Sequence, residues 1–335
     1  MASIFIFIAG ALLLVYSAEK LIGYLARAAR GLNISVFFLA IVFTGIEFDD
    51  IVFGVALNFE DLHDVALGLV FGTAISYTGI VLALAAILTP IAVYVPRDYI
   101  AIFAAAPLVT GVFALAAPLT LVDGVLLLGL FALFVAYIVV QEFRRQTPTF
   151  RSTEVSEELD EGTAKPSSAP VPSAQARRLP GWANLGLAVL ALAGLIIGAA
   201  TMSAGTKGIL ETYGIGGTVF GATIVTIALS LEDIFLTVEP FRRGVPAIGI
   251  GNVIGSLVFS VTAKLGVIVV SGGSIAVGPE VLRWHLPVLI VVTVLAAYFL
   301  YTGRLRRWHG YALLGCYVVY WGISFALFGE APVSS

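Results

Sequence analysis

Two acidic clusters stand inside apolar runs. In "VFFLAIVFTGIEFDDIVFGVAL" (36–57), Glu47, Asp49 and Asp50 fall within four residues. In "ALSLEDI" (228–234), Ser230, Glu232 and Asp233 do much the same. An ionised side chain at the bilayer centre costs ~2.5–3.5 kcal/mol on insertion scales. Buried structural polar groups are the bland explanation, but several of them in two matching places favour a cation site. On a helix Glu47 and Asp50 share a face, as do Ser230 and Asp233. Asp49 and Glu232 lie one position off that face, toward a cavity or a basic partner.

Downstream of each cluster comes Gly-x-x-x-Gly followed by a hydroxyl: Gly68, Gly72 and Thr73, then Gly251, Gly255 and Ser256. Small residues at that spacing let two backbones approach closely, which brings the hydroxyls within reach of the carboxylates. Ser76, Tyr77 and Ser260 follow about one turn later. Carboxylates, hydroxyls and carbonyls suit hard cations such as Ca²⁺ and Na⁺. No His/Cys cluster favours zinc or copper. His63 and His309 are expected in loops, and His285 near a membrane surface. Lys264, deep in "FSVTAKLGVIVV", needs a carboxylate partner. Either it forms a structural ion pair with Glu232, Asp49 or Glu19, or it is a tethered cation filling part of the site. Glu19 and Lys20 can also pair with each other.

The elements that must hold these residues are membrane spans. The chain has 335 residues, is 59% hydrophobic and only 12% charged, too apolar for a soluble domain. A net charge of −3 gives no reason to expect nucleic acid, and the single Cys316 excludes an internal disulfide. The apolar start reads as a retained first span and not as a signal peptide. Five apolar blocks, at 3–28, 34–58, 65–92, 98–117 and 120–142, precede five more at 183–206, 215–239, 247–271, 284–302 and 309–328. The stretch between, rich in Pro, Ser, Glu and Arg, cannot bury a core and reads as a flexible linker. The organisation is therefore 1–142, a linker at 143–181, and 182–335. Arg27, Arg30, Arg97, Arg144, Arg145, Arg177, Arg178, Arg242, Arg243, Arg304, Arg306 and Arg307 fall on one side. The loops on the other side hold only Lys207 and Arg283, with the acidic "NFEDLHD" (58–64). Both termini are then outside and the linker is cytoplasmic.

A shift of 183 residues lays the chain on itself without a gap. Asp50–Ile51 falls on Asp233–Ile234, Gly68 on Gly251, Gly72 on Gly255, and Thr73 on Ser256. Glu47 falls on Ser230 and Tyr77 on Ser260. Five spans per half is an odd number, so the halves must enter the membrane in opposite senses. The fold class is an all-α polytopic membrane protein of ten transmembrane helices in two inverted five-helix repeats, with a site expected at mid-membrane between them.

The second and third spans of each half resemble the α-repeats of the cation/calcium exchanger superfamily, above all prokaryotic Na⁺/Ca²⁺ exchanger-like proteins. "GATIVTIALSLEDIFLTVEPFRRGVPAIGIGNVIGSLVFSV" follows the family pattern G-x-T-I-V-A-x-G-T-S-x-P-E, a short basic loop, then G-N-x-x-G-S-N. The resemblance places the family's key acids at Asp50 and Asp233 and its motif serine at Ser230 and Glu47. Its later polar positions fall on Thr73, Ser256, Ser260 and Tyr77. It implies antiport by alternating access, with Na⁺ and Ca²⁺ as transported ions, no cofactor, the bilayer as surroundings, and the first and sixth spans as moving elements. The sequence departs from the pattern at Asp49 and Glu232 (proline), at Ile46 and Leu229 (threonine), at Ala74 and Leu257 (amide), and at Lys264 (apolar). An H⁺-coupled or other divalent-cation exchanger is the alternative, and a non-transporting cation-binding membrane protein a third reading. No nucleotide-binding loop supports an enzyme; "GIGNVIG" lies within an apolar span.

Overall fold

The computed structural model describes residues 2–31, 47–116, 118–144, 181–242 and 246–328. Almost all of them are helical. Helix α1 covers Ala2–Gly31, α2 Phe48–Phe59, and α3 His63–Leu88 with a π-helical turn at Tyr77–Leu82. Helix α4 is Arg97–Leu115 and α5 Leu121–Arg144. Helix α6 is Gly181–Tyr213. Helix α7 joins Gly217–Phe220, a π turn at Gly221–Val225, and Thr226–Arg242. Helix α8 joins Pro246–Phe259, a π turn at Ser260–Lys264, and Leu265–Gly272. Helix α9 runs over Val281–Tyr301 and α10 over Arg307–Phe328.

Among the described residues seven helices are long and apolar enough to cross a membrane: α3, α4, α5, α6, α8, α9 and α10. At ~1.5 Å per residue such helices match or exceed the ~30 Å hydrocarbon core. Helices α3 and α8 form the buried centre, while α5 and α10 leave most of their surface outside. The exposed side chains there are apolar, Leu126, Leu133, Val318 and Val319 among them, as lipid contact requires. Helices α1 and α6 pack along each other, with the backbone of one against glycines of the other at Gly10, Gly198 and Gly205.

The 183-residue offset reappears in the element bounds. The first segment of α3, His63–Ser76, corresponds to Pro246–Phe259 of α8, and both π turns begin at the equivalent residues Tyr77 and Ser260. Helices α2 and α7 end at the equivalent Phe59 and Arg242. Ala92 and Ile275 are also equivalent, and each joins a short bridge to the other half. Strand β1 (Ile91–Ala92) pairs antiparallel with β2 (Arg304–Leu305), and Ile275 pairs with Leu119.

Several boundaries differ from expectation. The third apolar block stops as a helix at Leu88, because Pro90 cannot continue it and Ile91–Ala92 pair as a strand. The sixth helix continues to Tyr213, so Lys207 lies on α6 and not in a loop, and pairs with Glu60 at 3.0 Å. Arg283 sits in the first turn of α9. Hydropathy marks the apolar stretch, whereas long basic side chains let a helix run on toward water. His63 opens α3. His309 lies in the first turn of α10, buried and stacked on Phe299 at 4.1 Å between ring centroids. His285 is buried, its Nδ1 2.8 Å from the Tyr320 hydroxyl. Most of the first part of the 34–58 block and most of the linker lie outside the described residues, as do the side chains of Glu19 and Glu232.

Candidate cation site

Glu47 does not share the helix with Asp50. It stands immediately before α2, at φ −86° and ψ 88°, and its carbonyl accepts the Ile51 N–H at 3.1 Å. Asp49 and Asp50 occupy the first turn of α2. Unpaired backbone N–H groups and the positive end of the helix dipole favour carboxylates there. In the second half the equivalent Ser230 and Asp233 lie inside the continuous segment Thr226–Arg242 of α7. Asp49, Asp50, Ser230 and Asp233 are all buried.

The predicted glycines bring the halves together. A Cβ on Gly68 would strike the Thr218 carbonyl, and one on Gly72 would strike the backbone of Ala222. The Gly-x-x-x-Gly face of α3 therefore lies against the first half of α7. One turn beyond Gly72, Ser76 Oγ lies 2.9 Å from Ser230 Oγ. One residue of each π turn carries the next contacts, in line with the frequent use of π turns at functional sites. Tyr77 donates its hydroxyl to Glu47 and also lies 3.2 Å from Asp233 Oδ2, so one phenol bridges carboxylates of both halves.

Lys264, in the matching π turn of α8, is fully buried. Among the described residues its partners include Asp50 and Glu47: Nζ donates to Asp50 and lies 2.6 Å from Glu47 Oε2. It also donates to Thr73 Oγ1 at 2.9 Å. Glu47 lies off the helix, which turns its carboxylate toward α8 together with that of Asp50.

The hydroxyl protons are already directed. Thr73 donates to the Leu69 carbonyl at 2.9 Å, so its oxygen accepts from Lys264 and faces Ser260 Oγ at 3.3 Å. Ser76 donates to the Thr73 carbonyl at 2.8 Å, so Ser230 donates to Ser76. Ser230 and Ser260 then present lone pairs, which suits a cation and not an anion. Among the described residues no three His, Cys, Asp or Glu side chains are grouped to hold a metal ion; a cation here would depend on hydroxyl and amide oxygens as well.

Ser256, the repeat mate of Thr73, is fully buried, and its Oγ has no hydrogen-bond partner among the described residues. The same is true of Asn252 Oδ1, one turn earlier on α8. Asn252 Nδ2 donates to Thr237 Oγ1 at 3.2 Å, one turn beyond Asp233 on α7. The sequence reading did not nominate Asn252. Its place in Gly-Asn-x-x-Gly-Ser, four residues before Ser256, was the available signal.

A family model described as sodium/calcium exchanger protein matches residues 2–140 and 183–326. The uncharacterized membrane protein MJ0091 of Methanocaldococcus jannaschii is 26% identical over 329 residues, 93% of this chain and 95% of the relative. The putative antiporter CaxA of Alkalimonas amylolytica is 29% identical, with 79% of each chain covered. A solved structure of the sodium-calcium exchanger NCX_Mj superposes with a TM-score of 0.60 at 23% identity, covering 98% of both chains, which shows a shared fold.

Proposed function

The chain belongs to the sodium/calcium exchanger protein family, and on that premise we propose that it exchanges Na⁺ for Ca²⁺ by alternating access at the buried cluster between α2, α3, α7 and α8. Cation antiport is the activity of the class; the ion pair is the proposal. The observation that carries it is the contact between halves: Tyr77 touches both Glu47 and Asp233, and Ser76 meets Ser230. Asp50 and Asp233 would bind the ions in turn, with Glu47, Thr73, Ser230, Ser256 and Ser260 completing the oxygen set. Asp49 and Glu232 are further candidates.

The architecture proposed with it is ten spans in two five-helix repeats, 1–142 and 182–335, inserted in opposite senses. The coincidence of helix and π-turn bounds at an offset of 183 residues supports the duplication. Arginine distribution supports termini outside and the 143–181 linker in the cytoplasm. A second reading, H⁺-coupled or other divalent exchange, is favoured by the carboxylate and ammonium added at Glu47 and Lys264.

The test is ⁴⁵Ca²⁺ uptake by Na⁺-loaded proteoliposomes from Na⁺-free medium, with Asp233→Asn as control. Uptake that needs the outward Na⁺ gradient and disappears in the variant supports the proposal. Uptake driven only by a pH gradient, or only of another divalent ion, selects the second reading.

A further inference from the structure

The two halves of the site are not alike, and their differences touch one another. Asp50 matches Asp233, and Thr73 matches Ser256. Five positions break the repeat: Glu47 stands against Ser230, Ser76 against Phe259, Tyr77 against Ser260, Val81 against Lys264, and Leu69 against Asn252. Glu47 receives both the Tyr77 hydroxyl and the Lys264 ammonium. Thr73 accepts from Lys264, whereas its mate Ser256 is buried with an unpartnered Oγ. Val81, the mate of Lys264, has nothing to donate. A pseudo-two-fold cluster thus has an ammonium on one side and, on the other, buried oxygens of Ser256 and Asn252 with no partner among the described residues.

We propose that Lys264 is a built-in cation that permanently occupies one of two repeat-related cation positions, and that the transported ion takes the other, formed by Asp233, Ser230, Ser256 and Asn252. The inference rests on the reading of this cluster as the transport site and narrows it: Asp50, Glu47 and Thr73 hold the ammonium, and the transported ion binds on the Asp233 side. A fixed ammonium against Asp50 and Glu47 replaces one mobile positive charge, so the carrier moves one fewer monovalent ion per divalent ion than it would with a neutral side chain at 264. Lys264 is fully buried and held by three oxygen groups, Asp50, Glu47 and Thr73. Phe259 adds an aromatic ring whose centroid lies 5.9 Å from Nζ. Nothing in that arrangement requires the ammonium to leave during transport.

The test compares coupling ratios. In proteoliposomes clamped with K⁺ and valinomycin, the Na⁺ gradient at which net ⁴⁵Ca²⁺ flux vanishes gives the number of Na⁺ per Ca²⁺. K264M is expected to move one more Na⁺ per Ca²⁺ than the wild type. E47Q/K264M, which removes one charge of each sign, is expected to return to the wild-type ratio. Equal ratios in wild type and K264M overturn the inference. If K264M does not exchange, ²²Na⁺ binding to the purified, folded protein decides: one additional Na⁺ per chain supports the built-in cation, and an unchanged number overturns it. A wild type that exchanges no Ca²⁺ for Na⁺ refutes the cargo assignment above, and the same ²²Na⁺ count then judges Lys264 alone. S256A should weaken ⁴⁵Ca²⁺ binding about tenfold, whereas T73A, on the ammonium side, should weaken it less; the reverse order overturns the assignment of the two positions.

Discussion

Gly72→Ala is the most direct probe of how the halves are registered. The added Cβ would lie 2.6 Å from the Ala222 carbonyl oxygen and closer still to Ala222 Cα and Thr226 Oγ1. Comfortable contact needs ~3.5–4.0 Å, so α3 and α7 must part by roughly 1 Å. One turn further along both helices, Ser76 Oγ and Ser230 Oγ are 2.9 Å apart. The same displacement would carry that hydrogen bond well past its useful range of ~3.2 Å or less. Overpacking of this kind costs ~1–3 kcal/mol. If half of it falls on the site, divalent affinity drops about tenfold, since ~1.4 kcal/mol is a factor of ten. Gly129→Ala is the control, because a Cβ there meets nothing within 4 Å. The assay is ⁴⁵Ca²⁺ binding to purified protein together with thermal unfolding in detergent. Gly72→Ala that binds and melts like Gly129→Ala would refute the close helix crossing and the transmission of register to the hydroxyl pair.

Three other perturbations have defined outcomes. Y77F removes the bridge between Glu47 and Asp233; it should lower stability in cation-free buffer by ~1.5–3 kcal/mol, and saturating Ca²⁺ should recover more of the Tm than it does in wild type. Failure of Ca²⁺ to recover it would mean that the phenol is purely structural. N58A deprives the Ile268 carbonyl and Ser271 of donors now 2.7 Å away, and should cost ~1–3 kcal/mol by thermal unfolding, without changing the Na⁺ to Ca²⁺ ratio. A92C/R304C, oxidised across the β1–β2 pair, should leave exchange close to the wild-type rate; arrest on oxidation and recovery on reduction would show that the clasp must open.

The helical architecture was largely legible because apolar length is a strong signal and the same order of features recurs after 183 residues. Thr73, Tyr77, Ser230, Asp50, Asp233 and Ser260 were nominated from spacing, and contacts among buried groups connect most of them. The departures have local causes. Glu47 was placed on a helical face by its spacing from Asp50, but α2 begins one residue later. That single difference brings Glu47 to Lys264. Asn252 was passed over because a neutral amide in an apolar run carries little signal until its neighbours are known. Lys207 and His309 were assigned to loops because polarity was read as an end of structure, whereas both helices run through them.

The short bridges have a mechanical consequence. Each half contributes a linker segment that is laced to the opposite half, Ile91–Ala92 to Arg304–Leu305 and Ile275 to Leu119. With α3 and α8 at the centre, these lacings make α3–α5 and α8–α10 a cross-braced chassis. Sliding one half past the other as a block would tear both braces. Helices α1 and α6 carry neither brace and lean chiefly on each other along a small-residue seam. They are the crossbar of the assembly, and in the exchange proposed above they are the elements expected to travel while the chassis stays square.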